Sequence, residues 1–306
     1  MDKHSEKVMK ILTDLYDIDG RMIAPAGAYM TPSLIRDVIS RGKPLQRKTL
    51  SLARPEFLRD VAAALEDPLY EKLFSPPGFK KKIITIARKA RMQEHLYHEV
   101  HRLKKSSPYT YRHFVLIAVL AAKMAIDLKA YRCKPGEAFV YGLIHDIGKT
   151  RLSKNVLNKK ERLTSNEYRI LHSYPLNSLL LLRYYLGLKG TEACRVAYEH
   201  HEALDGSGYP KGIKTMSKYT RIVAMIDIFD ALVAERPYRK RSFTVRGALD
   251  KLIQGMDAGK YPKLSVRLLI SYFRSGSQNF RTMKISRAPR EEDPDGNSYG
   301  KVDSAA

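Results

Sequence analysis

Apolar residues recur at helical spacing through most of the chain, and the alternation of a half-buried strand is nearly absent. The densest stretch runs from Ser106 to about Ser275. Within it, Phe114–Ile126 has the spacing of a buried core helix, and Phe114–Ala122 is the longest uninterrupted apolar run. Glu137–Ile147 and Glu192–His201 read as further helices, each ending at a Gly-bearing loop. Arg221–Glu235 is amphipathic, and Val245–Ile253 and Ser265–Phe273 continue the pattern.

Met1 to about Arg41 reads as a small mixed unit. Leu15–Tyr16, then Asp17-Ile18-Asp19-Gly20, then Arg21–Ile23 predicts a hairpin closed by a Gly-containing turn. Pro25-Ala26-Gly27 is a second turn. Thr31 is placed to cap a helix with Pro32 at its first position, and Gly42 ends it. Leu34, Ile35, Val38 and Ile39 form that helix's apolar stripe. From Lys43 to Lys105 the helical pattern is patchy and breaks at Ser75-Pro76-Pro77-Gly78. The expectation is a mainly α protein: a small α+β N-terminal domain with a helical linker over 1–105, an all-helical domain over 106–275, and a polar, mobile tail over 276–306. There is no internal repeat.

Composition narrows the class. Hydrophobic residues make up 44% and charged residues 28% of the 306, enough for a real core, which excludes a wholly disordered chain. The apolar run falls short of the ~18–20 residues that span a bilayer. Met1–Leu12 carries acids and lacks an apolar centre, so it does not read as a signal peptide. Two cysteines, Cys133 and Cys194, cannot build a disulfide framework or a zinc ribbon. A soluble cytoplasmic protein is expected. The abnormal feature is charge: 55 Lys+Arg against 32 Asp+Glu gives +23, which predicts attraction to something anionic. Charge alone does not choose among nucleic acid, a nucleotide and an acidic membrane face. Much of the surplus lies in Lys80–Arg91 and around Arg236–Arg241.

Candidate chemistry is concentrated in the helical region. His145-Asp146 adjoin at a predicted helix end, His200-His201-Glu202 at another, and Asp227 and Asp230 lie three apart on one helix face. His113 opens the long core helix. Imidazole nitrogens and carboxylate oxygens without thiols are the ligand set of Zn, Mn, Fe or Ni. An adjacent His-Asp pair at a helix end can project into one cavity, and its carboxylate can bridge two ions ~3.5–4 Å apart. His95, His98 and His101 also recur at i, i+3 and i+6, but no acid or thiol is fixed beside them, and they read as a polar helix face.

Three ordered segments resemble the signature of HD-GYP domains: His145-Asp146-Ile147-Gly148-Lys149; His200-His201-Glu202 running to Gly208-Tyr209-Pro210; and Arg221–Leu232 followed by Arg236-Pro237-Tyr238-Arg239. They cover roughly Tyr109–Phe273. The N-terminal hairpin and helix are similar to a small unit often found before such domains, on a much weaker match. The resemblance implies an all-helical HD-type fold and a phosphodiesterase that hydrolyses cyclic di-GMP to the linear dinucleotide or GMP, using water activated by a binuclear metal centre. Two divalent ions are implied, Fe or Mn first, with Zn or Ni also suited. Carried over by position, His113, His145, Asp146 and Asp227 match ligands of the first ion. Asp146 would bridge to a second held by His200 and His201. Lys149, Arg236 and Arg239 match phosphate contacts, and Tyr209 a tyrosine at the pocket edge. Gly206 and Gly208 would let the loop turn tightly and come near a ligand. Asp230 is expected to hydrogen-bond rather than to ligate.

Two positions depart from the family pattern. Where the family has a metal-binding His before Pro, this chain has Tyr174-Pro175, while His172 would face elsewhere on its helix. The second ion is therefore expected to bind weakly or keep an extra water. Where trinuclear members carry a Glu four residues before the first His, this chain has Tyr109, and a third ion is not expected. Tyr174 also supports a second reading: a weak or inactive member that receives cyclic di-GMP, or docks a diguanylate cyclase through the Gly-Tyr-Pro loop. An HD hydrolase acting on other nucleotides or RNA is disfavoured by that loop. No haem, phosphoacceptor or nucleotide motif marks residues 1–105. Lys149, Arg236 and Arg239 use a small part of the +23 charge, and the rest is a basic surface.

Overall fold

The computed structural model describes residues 9–42, 48–159, 161, 163–235, 241–274 and 279–286. The hairpin forms as predicted, with β1 (Leu15–Tyr16) antiparallel to β2 (Met22–Ala24). Asp17 closes its turn by accepting from the amides of Asp19 (2.9 Å) and Arg21 (2.8 Å). α1 (Pro32–Gly42) starts at Thr31, whose hydroxyl accepts from the Leu34 amide. Of its stripe, Val38 is fully buried, whereas Leu34, Ile35 and Ile39 are half-buried.

A second two-stranded ribbon was not legible in the pattern. β3 (Thr49–Ser51) pairs with β4 (Arg91–Gln93), and three residues a strand are too few to show a period. Between them lie α2 (Pro55–Ala64), a 3-10 turn at Pro68–Tyr70, α3 (Glu71–Phe74) and α4 (Phe79–Lys89). α5 (Glu94–Ser106) carries the histidine row. His98 is exposed, while His95 stacks on Tyr185 and His101 on Tyr97, in keeping with a polar helix face.

α6 (Pro108–Asp127) is the central helix. It is long and apolar enough to cross a membrane by length and composition, but 83% of its apolar window is buried inside the protein, chiefly against α7 (Pro135–Ile144), α5 and α2. A 3-10 turn at Ile147–Arg151 follows, then α8 (Lys154–Leu157) and α9 (Ser165–His172), which opens on a Thr164/Glu167 capping box. α10 (Tyr174–Leu186), α11 (Thr191–Glu199), α12 (Lys218–Val233), α13 (Val245–Asp257) and α14 (Lys263–Tyr272) complete the domain. The all-helical reading of this region holds.

Two expected helices stop short, at Ile144 rather than Ile147 and at Glu199 rather than His201. At each end a histidine ring turns back to a carbonyl of the last turn: His145 Nδ1 to Gly142 O (2.8 Å) and His200 Nδ1 to Val196 O (3.1 Å). Carbonyls at a helix C-terminus are short of intrahelical partners, and these rings add a donor there, at Val196 alongside the His200 amide.

The boundary expected near residue 105 is not a break in packing. One apolar cluster runs from Leu15 and Val38 through Phe57 and Tyr70 into α6, α12 and α14. Phe57 meets Phe139 edge-on at 6.3 Å, and Tyr70 meets Phe229 at 6.2 Å. Of the tail expected over 276–306, residues 276–278 and 287–306 lie outside the described residues, but 279–286 lie along α14. There Arg267 donates to the carbonyls of Phe280 (2.7 Å) and Met283 (2.6 Å), and the Met283 side chain is buried.

Candidate metal centre

The local chain geometry brings the scattered histidines and aspartates to one point. His113 sits in the second turn of α6, His145 and Asp146 just past α7, His200 and His201 just past α11, and Asp227 in the middle of α12. One ligand atom from each of His113, His145, Asp146 and Asp227 lies within 4.8 Å of the others, and the same holds for Asp146, His200 and His201. Asp146 belongs to both groups and turns a different oxygen to each. Its Oδ2 is 3.3 Å from His145 Nε2 and 3.9 Å from His113 Nε2, whereas its Oδ1 is 3.2 Å from His200 Nε2. Asp227 Oδ1 faces His113 Nε2 at 3.2 Å and His145 Nε2 at 3.7 Å.

The ring nitrogens that do not face the cluster are tied down. His145 and His200 donate to carbonyls as described, and His113 Nδ1 donates to Asp230 Oδ2 at 2.8 Å. Each such bond fixes the orientation of its ring and aims Nε2 inward. Asp230 thus orients a histidine, as expected, and its other oxygen accepts a 2.8 Å bond from the Tyr70 hydroxyl. Sequence reasoning missed Tyr70. Nothing in its surroundings marks it, and its partner lies 160 positions away.

The electrostatics of the cluster suit a cation. His145, Asp146 and His200 are fully buried, and His113 and Asp227 nearly so. Burial works against ionised carboxyls, but His145 and Lys149 hold Asp146 well below the usual carboxylate range, and the facing rings of His113 and His145 do the same for Asp227. Burial likewise opposes charge on His145, yet Asp146 and Asp227 outweigh it and push its pKa up to about 10. Burial and the neighbouring His200 hold His201 well below its ordinary value, in the neutral form a metal requires. Two buried carboxylates are costly without a cation, and His145 Nε2 and Asp146 Oδ1 are buried without a hydrogen bond. The donor set of His113, His145, Asp146 and Asp227 therefore fits a divalent ion held by nitrogen and oxygen.

The profile of the HD domain family matches residues 88–262, more than half of the chain. The chain belongs to the HD domain family. Its match begins in α4, so α5, expected as linker, lies inside the family region. The chain is similar to cyclic di-GMP phosphodiesterase PA4108 of Pseudomonas aeruginosa, 36% identical over 143 residues that cover 45% of this chain and 34% of that protein. It is similar to two Vibrio cholerae proteins. One is 3'3'-cGAMP-specific phosphodiesterase 1, at 28% identity over 60% of this chain and 42% of that protein. The other is 3'3'-cGAMP-specific phosphodiesterase 3, at 40% identity over 44% and 29%. The chain spans less than half the length of these relatives. The names of these relatives agree with the HD-GYP resemblance read from the motifs.

The remaining residues of this HD domain fall around the donors. Lys149 pairs with Asp146 Oδ2, and its ammonium stands 4.7 Å over the Tyr174 ring. Tyr174 is buried at the start of α10, with its hydroxyl bonded to His201 Nε2 and 3.4 Å from His200 Nε2. Burial and the nearby Asp146 push its phenol well above the ordinary range. Tyr109 is half-buried in the first turn of α6, near Tyr70. Tyr209 stacks on His201 at 4.7 Å, which places it at the rim of the donor cluster. His172 belongs to neither donor group and packs between Tyr168 (4.1 Å) and Tyr209 (4.6 Å). Arg236 and Arg239 lie outside the described residues.

The Gly-Tyr-Pro loop differs from expectation in one respect. A Cβ on Gly208 would stand 2.3 Å from the Ala203 amide nitrogen, so this glycine lets the loop press on its own chain rather than on a ligand. Glu202, adjacent to the histidine pair, is an anchor for that loop: its carboxylate accepts from the amides of Lys211 (2.6 Å) and Ile213 (3.1 Å).

Proposed function

We propose that this HD domain protein is a metal-dependent phosphodiesterase that hydrolyses cyclic di-GMP to the linear dinucleotide or GMP. The observation that carries the reading is Asp146, a fully buried carboxylate that faces two histidine groups with its two oxygens, next to Lys149. A divalent ion held there supplies Lewis acidity and lowers the pKa of water from 15.7 towards ~7. The nitrogen and oxygen donors suit Fe or Mn first, with Zn or Ni also accommodated.

The chain's own groups define the rest of the chemistry. His113, His145, Asp146 and Asp227 fix the ion's place through rings and carboxylates that cannot reorient, because each ring is bonded behind. Lys149 offers an ammonium beside Asp146, where a phosphodiester bound at the ion would bring its negative charge. Tyr209 covers the outer face of His201 and limits water there. We assign Arg236 and Arg239 to the second phosphate of the dinucleotide, since Arg recognises phosphate bidentately. The relatives named for cyclic di-GMP and for 3'3'-cGAMP support a cyclic dinucleotide as the substrate class. Cys133 and Cys194 are both unpaired and buried, which suits the reducing cytoplasm we propose as its location.

The test is hydrolysis by the full chain, stripped of metal and reloaded with Mn(II). Product that depends on the added ion supports the proposal. Cyclic di-GMP left intact by reloaded, folded protein refutes it.

A further inference from the structure

The two donor groups that share Asp146 are not equivalent. In the first, four side chains surround a point and every ligand atom is a nitrogen or a carboxylate oxygen. The second has Asp146, His200 and His201, and the Tyr174 hydroxyl is inserted among them. We propose that this chain loads a single divalent ion, on His113, His145, Asp146 and Asp227, and that Tyr174 closes the second position. The inference rests on the metal-dependent reading above and deepens it.

A metal ion at the second position would need the Nε2 lone pairs of His200 and His201 together with an Asp146 oxygen. The Tyr174 hydroxyl is hydrogen-bonded to His201 Nε2, which engages the atom an ion would need, and stands 3.4 Å from His200 Nε2. A neutral phenol is also a poor replacement for a ligand, because its oxygen carries a proton where an ion requires electron density.

The phenol cannot easily withdraw. Tyr174 is 4% exposed, at the first residue of α10. The backbone on either side is clamped to the turn that carries Asp146: the Gly148 amide donates to Ser178 Oγ at 2.8 Å. The approach is so close that a Cβ on Gly148 would stand 2.1 Å from the Tyr174 carbonyl oxygen. His201 is half-buried, with Tyr209 stacked against it at 15°. Binding a second ion would therefore require a packed ring to leave a buried slot and to surrender its hydrogen bond.

The Lys149 ammonium pairs with Asp146 Oδ2 and lies over the Tyr174 ring at 4.7 Å, a favourable cation–π distance. Lys149 and Tyr174 thus hold one another beside Asp146, with the ammonium on the oxygen that faces the first group.

The experiment counts ions and does not depend on turnover. The full chain is stripped with chelator and titrated with Mn(II), with bound metal measured by equilibrium dialysis and by electron paramagnetic resonance. The expected result is one ion per chain and a spectrum without Mn–Mn coupling. His201→Ala should shift that affinity by less than about threefold, while Asp227→Ala should weaken it by at least about 100-fold, the upper end for disturbing a metal site's supporting groups. Tyr174→His should raise the count to two and introduce a coupled spectrum. Two ions on the wild-type chain, or loss of an ion in His201→Ala, overturns the proposal. Hydrolysis measured on the same samples tests the phosphodiesterase reading separately: one ion with no turnover refutes that reading and leaves this one standing.

Discussion

Tyr70 donates a 2.8 Å hydrogen bond to Asp230, and through Asp230 the N-terminal region reaches the back of His113, a histidine of the proposed metal site. Tyr70 lies in a 3-10 turn between α2 and α3, fully buried, with its ring against Phe229. Asp230 accepts from Tyr70 on one oxygen and from His113 Nδ1 on the other, so the phenol limits how far the carboxylate can turn. Tyr70→Phe keeps the ring and removes the donor. Metal affinity should fall about 10-fold, within the range for groups behind a ligand. Stability should fall by about 1–3 kcal/mol, because a buried carboxylate oxygen loses a donor. Calorimetric titration of the metal-free protein with Mn(II) checks the first figure. Unchanged affinity would show that the phenol only fills space.

Glu99 is a second long-range brace. It is fully buried on α5, accepts a 2.9 Å bond from the Tyr185 hydroxyl on α10, and pairs with Arg151. Arg151 ends the 3-10 turn that begins beside Asp146, and its Nε donates to the Tyr16 carbonyl on the hairpin at 2.7 Å. Removing one partner of a buried ion pair leaves the other charge without compensation, at a cost of about 3–5 kcal/mol. Glu99→Ala should lower the urea midpoint by a corresponding amount with little change in slope. A loss below about 1 kcal/mol would mean that water relieves Arg151.

The two cysteines should be inert in the folded protein. Burial pushes the Cys133 thiol up to about 11 and the Cys194 thiol up to about 12. A raised thiol pKa keeps the sulfur protonated below it, and the thiol form does not react. At pH 8 a disulfide-exchange dye should label neither cysteine in the native protein and both after denaturation. Rapid native labelling at pH 8 would contradict the buried placement.

The sequence pattern located the helices that matter, because long apolar periodicity survives as packed helices: Phe114–Ile126 lies within α6 and Arg221–Glu235 overlaps nearly all of α12. Helix ends were harder to read. His145 and His200 look like ordinary helix residues, and their ring bonds to Gly142 and Val196 are contacts that the apolar pattern does not carry. Most of the donor cluster was readable as well, since His145-Asp146 and His200-His201 are adjacent pairs and the HD-GYP motifs placed His113 and Asp227 beside them. What could not be read were contacts across the fold. Tyr174 was visible as a departure from the family pattern, but its insertion between His200 and His201 depends on the clamp around Gly148. Tyr70 and Glu99 carry no local mark, because their partners are supplied by distant segments.

Hydrolysis of cyclic di-GMP by the metal-loaded full chain, with products resolved by chromatography, tests the central claim most directly. Linear dinucleotide or GMP should form only with added Mn(II) or Fe(II), cease on chelation, and fall by at least about 100-fold in Asp146→Ala, comparable to or beyond the loss of one transition-state donor. Formation of product at an undiminished rate by folded Asp146→Ala, or intact cyclic di-GMP after incubation with metal-loaded wild-type protein, would contradict the account.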